Sequence, residues 1–488
     1  MTDVGLLTPG AHRGAGPTDD TAVLQALLDT EAAWVAAQVR AGLAPAAAAD
    51  AARAAARAAD YDAADIARRA EGGGNPVIPL LADYRRRVEQ LDPDATGWVH
   101  RGLTSQDVLD TAMMLLVRRA AEPLARDLAR TRAALARLAE AHRGTVMAAR
   151  TLTQHALPTA FGLKAAGWLA GVQDLRDDLA DLTRTPVSYG GAVGSLAGSA
   201  ALFADRPGAQ EAPDAARALE LAGHWARELG LELPGHVWHT TRRPVLRAGQ
   251  ALAGVCAALG RIANDVLVLA RPEIGELREP AAEGRGVSSA MPQKQNPVLS
   301  VLLKRTALSA PQLVAQLHLA AGLAVDERPD GAWHTEWPAL RELARLAVAA
   351  ASHAAELAEG LGVDADRMRA NLEASGPAVL AERISAALAP LVPAADGATG
   401  KQRVQAAVRE HAHDADALVR ALVGLAGRSR PDGGPVDEPW VRRLLEPAGY
   451  LGAADLLVDR VLAAGPEGPA ERASTAGPAA GTIPGGTA

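Results

Sequence analysis

Apolar residues recur at helical spacing through most of this chain, and almost nowhere with the alternation of a strand. The pattern predicts a helix from about Thr21 to Ala41 and short helices in the Ala/Arg/Asp-rich stretch to about Arg69. A further helix, Ile78 to Leu91, follows the break at Gly72-Gly73-Gly74. Gly102 closes the next connection, and Thr104 or Ser105 is suited to cap a very long helix through Met113 and Leu116. Pro123 is expected to kink or interrupt that helix, because it lacks an N–H and its ring crowds the preceding turn. Long helices are expected again at about 155–183, 244–271, 297–323 and 336–360. Ser429 to Pro435 sets off the last small helices. From about Ala464 the Gly, Pro, Ala, Ser and Thr residues offer little to bury, which predicts a disordered tail.

Composition narrows the architecture. Only 3% of the 488 residues are aromatic although 49% are hydrophobic, so the core is built of Ala, Leu and Val, which suits closely packed helices. Runs such as Val266-Leu267-Val268-Leu269-Ala270 are apolar on more than one face and need cover all round, which favours a second copy over a monomeric core. With 50 basic and 57 acidic residues the chain lacks the cationic excess of a nucleic-acid binder. The single cysteine, Cys256, lies in an apolar run and reads as a buried, inert thiol. Charges interrupt the long apolar stretches, and the N-terminus has no basic or apolar leader pattern, so no membrane partner and a cytoplasmic location are expected.

Three polar, glycine-punctuated segments carry the candidate chemistry. The first, Trp98 to Asp107, brings Thr104 and Ser105 to a helix start, where unpaired N–H groups and the helix dipole favour a carboxylate; plain capping is the competing reading. The second, Arg150 to Pro158, contains His155, either a proton-transfer group or a satisfied core histidine. The third runs from Gly284 to Pro297: two serines, Lys294 and Asn296 stand just before a helix start that Pro297 suits. That set can hold a carboxylate whose charge grows during reaction. No phosphate loop, dinucleotide fingerprint or metal-ligand cluster is visible, so neither cofactor nor metal is expected.

Ser288-Ser289-Ala290-Met291-Pro292-Gln293-Lys294-Gln295-Asn296-Pro297 resembles the long signature of the fumarase/aspartase superfamily. Gly102 to Thr111 and Thr151 to Pro158 resemble its two other regions in order and spacing. Gly74 to Leu80, Gly190 to Ser195, Trp238-His239-Thr240 and Trp333 to Trp337 resemble the 3-carboxy-cis,cis-muconate cycloisomerase branch. The resemblance implies an all-α fold with an N-terminal helical domain (1–98), a central bundle (99–350), a small C-terminal helical domain (351–463) and the tail (464–488). It implies a homotetramer with a twenty-helix core, each active site shared by three subunits, acting on a small dicarboxylate. By resemblance Ser288 is the base, aided by Lys294, and His155 and His100 are the proton-transfer candidates. Asn75, Thr104, Ser105, Gln154, Arg242, Ser289, Met291 and Asn296 would line the substrate.

Departures from the branch point to the leaving group. Leu152 stands where many relatives in the superfamily have a histidine, a difference that the cycloisomerase branch shares; against that branch itself, Thr241-Arg242-Arg243-Pro244 replaces a usual Gln-Arg-Asp-Arg run, and Val287, Gln293 and Gln295 are unusual. A leaving group needing little protonation fits, and nitrite is one. Nitrosuccinate lyases resemble this branch, and that resemblance makes β-elimination from nitrosuccinate to fumarate the first expectation and lactone formation by a cycloisomerase the second. A non-catalytic structural relative is the alternative of another class; retention of Ser288, Lys294 and Asn296 argues against it.

Overall fold

The computed structural model describes residues 5–204, 215–291 and 293–465. The tail from residue 466 and Pro292 of the serine loop lie outside them. The chain forms two compact units that interleave along the sequence. The first takes residues 1–131, 174–265 and 283–357; the second takes 132–173, 266–282 and 358–488.

Helix α1 (Asp20–Arg40) opens the first unit, capped by Asp19, whose side chain accepts the Ala22 N–H. Helix α2 (Ser105–Ala141) passes through Pro123 without interruption. Pro123 removes one hydrogen bond, but Ala120, Ala121, Leu124 and Leu128 around it are buried, and packing holds the helix across the gap. The expected long helix at 155–183 is overturned. In its place the second unit has an antiparallel hairpin, β1 (Val146–Thr151) and β2 (Gln154–Ala160), followed by α3 (Phe161–Gln173); Arg176–Thr183 forms a separate short helix in the first unit. The hairpin turns on Leu152 and Thr153, at φ 47° and 72°, so two residues with side chains occupy the left-handed region that tight hairpins require.

Three more long helices complete the first unit's bundle: α4 (Arg243–Leu269), α5 (Val298–Gly322) and α6 (Gly331–Gly360). Small residues bring them together. Gly249 of α4 lies against Leu317 of α5, and Gly260 against Ala307, so the two helices run antiparallel and closer than side chains at those glycines would permit. Gln316 near the end of α5 donates to the Thr335 carbonyl near the start of α6, at 3.0 Å. At the other end, Leu302 and His353 both border Gly10. Among the described helices α4 alone is long and apolar enough to cross a membrane, and half of its most apolar stretch is buried in this fold. Cys256 on α4 is buried as expected, and burial pushes its thiol up to about 12. The second unit closes on its own core, in which Ile384, Leu388, Val404, Leu418 and Leu422 pack together.

His353 on α6 is buried, and burial, followed by the Arg13 charge, lowers it from about 6.5 to about 4. The folded state thus resists a proton that the unfolded chain accepts. Its contribution is complete above pH 6.5 and is lost as pH falls toward 4. Urea unfolding should show stability declining across this window by on the order of 2–3 kcal/mol from this group, and His353→Gln should flatten that part of the profile.

Candidate functional site

The start of α2 is held by one buried carboxylate. Asp107 Oδ2 accepts the N–H of Thr104 and of Gly191, each at 3.0 Å, and Oδ1 accepts the Gly190 N–H at 2.8 Å while facing His239 Nε2 at 2.8 Å. Thr104-Ser105-Gln106-Asp107 thus contains the acidic half of a capping box, with the side chain at the third helical position returning to the chain before the helix. Gly190 is needed there, because a Cβ would sit 2.7 Å from the His239 ring. An arginine that the sequence reading passed over, Arg328, donates to the Thr104 hydroxyl and puts a cation beside the candidate carboxylate site.

One turn further along α2, Asp110 meets Arg242. The guanidinium pairs with both oxygens of Asp110 at 2.7 and 2.8 Å and with Glu336 of α6 at 2.6–3.1 Å, and reaches the Trp238 and His239 carbonyls. Trp333 Nε1 donates to Asp110 at 2.8 Å. Burial raises the Glu336 carboxyl above its ordinary value, with Arg242 opposing the rise. Arg242 was expected at the substrate. Its five donor directions are all taken inside the protein, so in this arrangement it binds helix starts together.

Polar residues of α1 at a three- and four-residue spacing grip the segment just before α2. Glu31 Oε1 meets His100 Nδ1 at 2.7 Å, Trp34 Nε1 donates to the Arg101 carbonyl at 2.9 Å, and Gln38 Nε2 donates to the Trp98 carbonyl at 2.8 Å. His100 is held at φ 62°, a backbone state that a side chain adopts at a cost. Asn75, by contrast, is occupied locally: its side chain joins the Gly73 carbonyl and the Val77 N–H, which starts the Val77–Leu91 helix.

The serine loop is built around Ser288 and Gly286. Ser288 Oγ accepts the N–H of Met291 at 3.2 Å and of Ala290 at 3.4 Å. The Gly286 carbonyl accepts both the backbone N–H and the side-chain amide of Asn296, at 2.9 and 3.1 Å, closing the loop at its neck. Gly286 has φ 70°, and a Cβ there would lie 2.6 Å from the Asn296 carbonyl oxygen, so glycine is required. Arg285 beside it pairs with Glu356 of α6, which Arg13 also reaches at 2.8 Å. Ser289, Met291 and Lys294 are exposed on the loop, and Pro297 stands at the N-cap of α5.

The bundle keeps these two sites apart. Asp110, Arg242 and Glu336 gather the starts of α2, α4 and α6, whereas the serine loop leads into α5 at the opposite end, beside His353 and Glu356. Between Thr335 and His353 the α6 axis rises roughly 27 Å. Within one chain, Thr104 and Ser105 are therefore not brought to Ser288 and Lys294. The remaining expected residues, Gln154 and His155, lie on the hairpin of the second unit, where His155 Nδ1 contacts the Ser375 hydroxyl and Leu152 is almost wholly exposed at the turn.

A family model described as lyase matches residues 19–310. A nitrosuccinate lyase of Streptomyces davaonensis is 44% identical over 95% of this chain and 95% of its own length. A 3-carboxy-cis,cis-muconate cycloisomerase of Bradyrhizobium diazoefficiens is 38% identical over 94% of this chain and 96% of its own. The crystal structure of the 3-carboxy-cis,cis-muconate lactonizing enzyme from Pseudomonas putida matches with a TM-score of 0.79 and 34% identity, covering 91% of this chain and 95% of that one.

Arg242→Met should destabilise the protein by roughly 3–5 kcal/mol, because it strands two buried carboxylates. Denaturant unfolding measures this. An unchanged midpoint would mean that the cluster carries no structural load.

Proposed function

Because the chain belongs to the lyase family of the fumarase/aspartase superfamily, we propose that it eliminates nitrite from nitrosuccinate to give fumarate. The observation that carries the reading is the environment of the Ser288 oxygen. A free serine hydroxyl is a very weak acid, and two backbone N–H groups aimed at Oγ stabilise the alkoxide a base needs to be. The alkoxide takes the proton from the carbon beside a carboxylate, and the C–H electron pair moves into that carboxylate. Lys294, exposed on the same loop, supplies positive charge to the resulting dianion. The pair then forms the C=C bond as the C–N bond breaks, and nitrite departs with the C–N electrons. One proton remains on Ser288.

Nitrite is a weak base, so this leaving group tolerates Leu152, which has no proton to give. The nitrosuccinate lyase relative supports the same substrate. The distance between the two ends of the bundle supports a site assembled from different copies: one contributes Thr104, Ser105 and Arg328, another Ser288 and Lys294, and a third the hairpin with Gln154 and His155, within a homotetramer. The second reading, lactone formation from 3-carboxy-cis,cis-muconate, is favoured by the cycloisomerase relative.

Incubation with nitrosuccinate should yield fumarate and nitrite in equal amounts, and 3-carboxy-cis,cis-muconate should yield no lactone. Ser288→Ala should lower kcat by roughly 10²–10⁴-fold while fumarate still binds. Lactone without nitrite would select the second reading, and wild-type turnover by the alanine variant would remove Ser288 as the base.

A further inference from the structure

We propose that Arg13 is a positioning residue for Ser288, acting through Glu356 and Arg285, and that residues 10–18 form a strap along α6 that delivers it. The inference rests on the reading of Ser288 as the base and adds what holds its loop to the bundle. Glu356, near the end of α6, is shared by two arginines: its Oε2 accepts Arg13 Nη2 at 2.8 Å and its Oε1 accepts Arg285. Arg285 stands three residues before Ser288, at the neck where the Gly286 carbonyl accepts the Asn296 amide. The neck closes the loop on itself, whereas the Glu356 carboxylate joins it to α6 and, through Arg13, to the segment before α1. Partial burial works to raise that carboxyl, but Arg285 and then Arg13 outweigh it and hold it below its ordinary value.

The segment before α1 lies along one face of α6 and runs against it. At its near end Asp20 pairs with Arg341 at 2.7 Å, and the Thr18 carbonyl accepts Arg341 Nε at 2.6 Å and Arg345 Nη2 at 3.0 Å. The Thr18 hydroxyl oxygen accepts Arg345 Nε at 3.1 Å. Gly14 follows, where a Cβ would run into the Arg345 carbonyl. Arg13 Nη1 then donates to Ser352 at 3.1 Å, one turn before Glu356, and Gly10, at φ 83°, lies against His353. Residues 341, 345, 352 and 356 share a helix face by their spacing, and the ties cover roughly 22 Å of its axis. Held at the near end by two arginines of α6, the strap carries its own arginine to the far end, where it fixes Glu356 for Arg285. Partly exposed ion pairs of this kind contribute little to global stability. A displacement of about 1 Å at a reacting group, by contrast, costs about 10²-fold in rate. The effect of the set therefore falls on the placement of Ser288.

Arg13→Met should lower kcat on nitrosuccinate by about 10–10²-fold, with KM little changed and the urea midpoint close to that of the wild type. Arg13→Lys should recover part of the loss. Glu356→Gln should lower kcat comparably, and the double variant should lose no more than the larger single loss. Hydrogen exchange read by mass spectrometry needs no turnover. It should quicken in peptides carrying Ser288 in both single variants, while peptides carrying Asp110 and Arg242 keep the wild-type rate. If Arg13→Met does not fold, Glu356→Gln carries the same readings. Wild-type kcat in these variants, or a loss confined to KM, would overturn the inference. Exchange that quickens throughout the chain alike would make Arg13 an ordinary stabilising contact and overturn it too. A wild type inactive on both candidate substrates would count against the function proposed above, and exchange at Ser288 then decides the strap: quickened rates support it and unchanged rates overturn it.

Discussion

Arg242 joins the beginnings of three long helices. Asp110 sits in the second turn of α2, Glu336 in the second turn of α6, and Arg242 immediately precedes α4. A guanidinium buried with two carboxylates is expensive to assemble, and its geometry admits little adjustment, so it fixes the helices' relative register more tightly than Ala and Leu packing could. One turn away, Asp107 receives four hydrogen-bond partners, and with them the loop containing Gly190 and the segment containing His239. The polar end of the bundle is consequently rigid by construction. The serine loop at the opposite end is rooted differently, through one arginine to Glu356 and through the carbonyl of a glycine, and leaves Ser289, Met291 and Lys294 exposed.

Most of the helical architecture was legible because long amphipathic stretches leave little choice of period. Asp19 and Asp414 each cap a helix where a capping residue precedes an apolar run. The hairpin was not legible for a definite reason. Its turn is Leu152-Thr153, without the Asn-Gly or Gly-Gly that announces a two-residue turn, and the small residues Ala148 and Ala149 of β1 read equally well as helix. Pro123 does not interrupt its helix. Its local preference is to break a helix, and burial of its neighbours outweighs that preference.

The candidate site divides in the same way. Thr104, Ser105 and Ser288 stand in glycine-marked segments between periodic helices, so their positions could be read directly. Asp107 was readable in principle from the T-x-x-D spacing before an apolar run. Glu31 and Arg328 were not, because their partners lie 69 and 224 residues away in the chain. Arg242 is the opposite case: a conspicuous arginine beside a recognisable motif, with its donors engaged within the chain itself.

The antiparallel placement of α5 has a consequence at the level of inheritance. When one chain's two chemical ends serve different sites, a lesion at each end of a single copy injures two sites, whereas the same lesions carried by separate copies can fall together in one and spare another. The phenotype of a pair of changes then depends on whether they share an allele. On the proposed sharing of sites between copies, the gene's unit of transmission and the enzyme's unit of catalysis would be different objects.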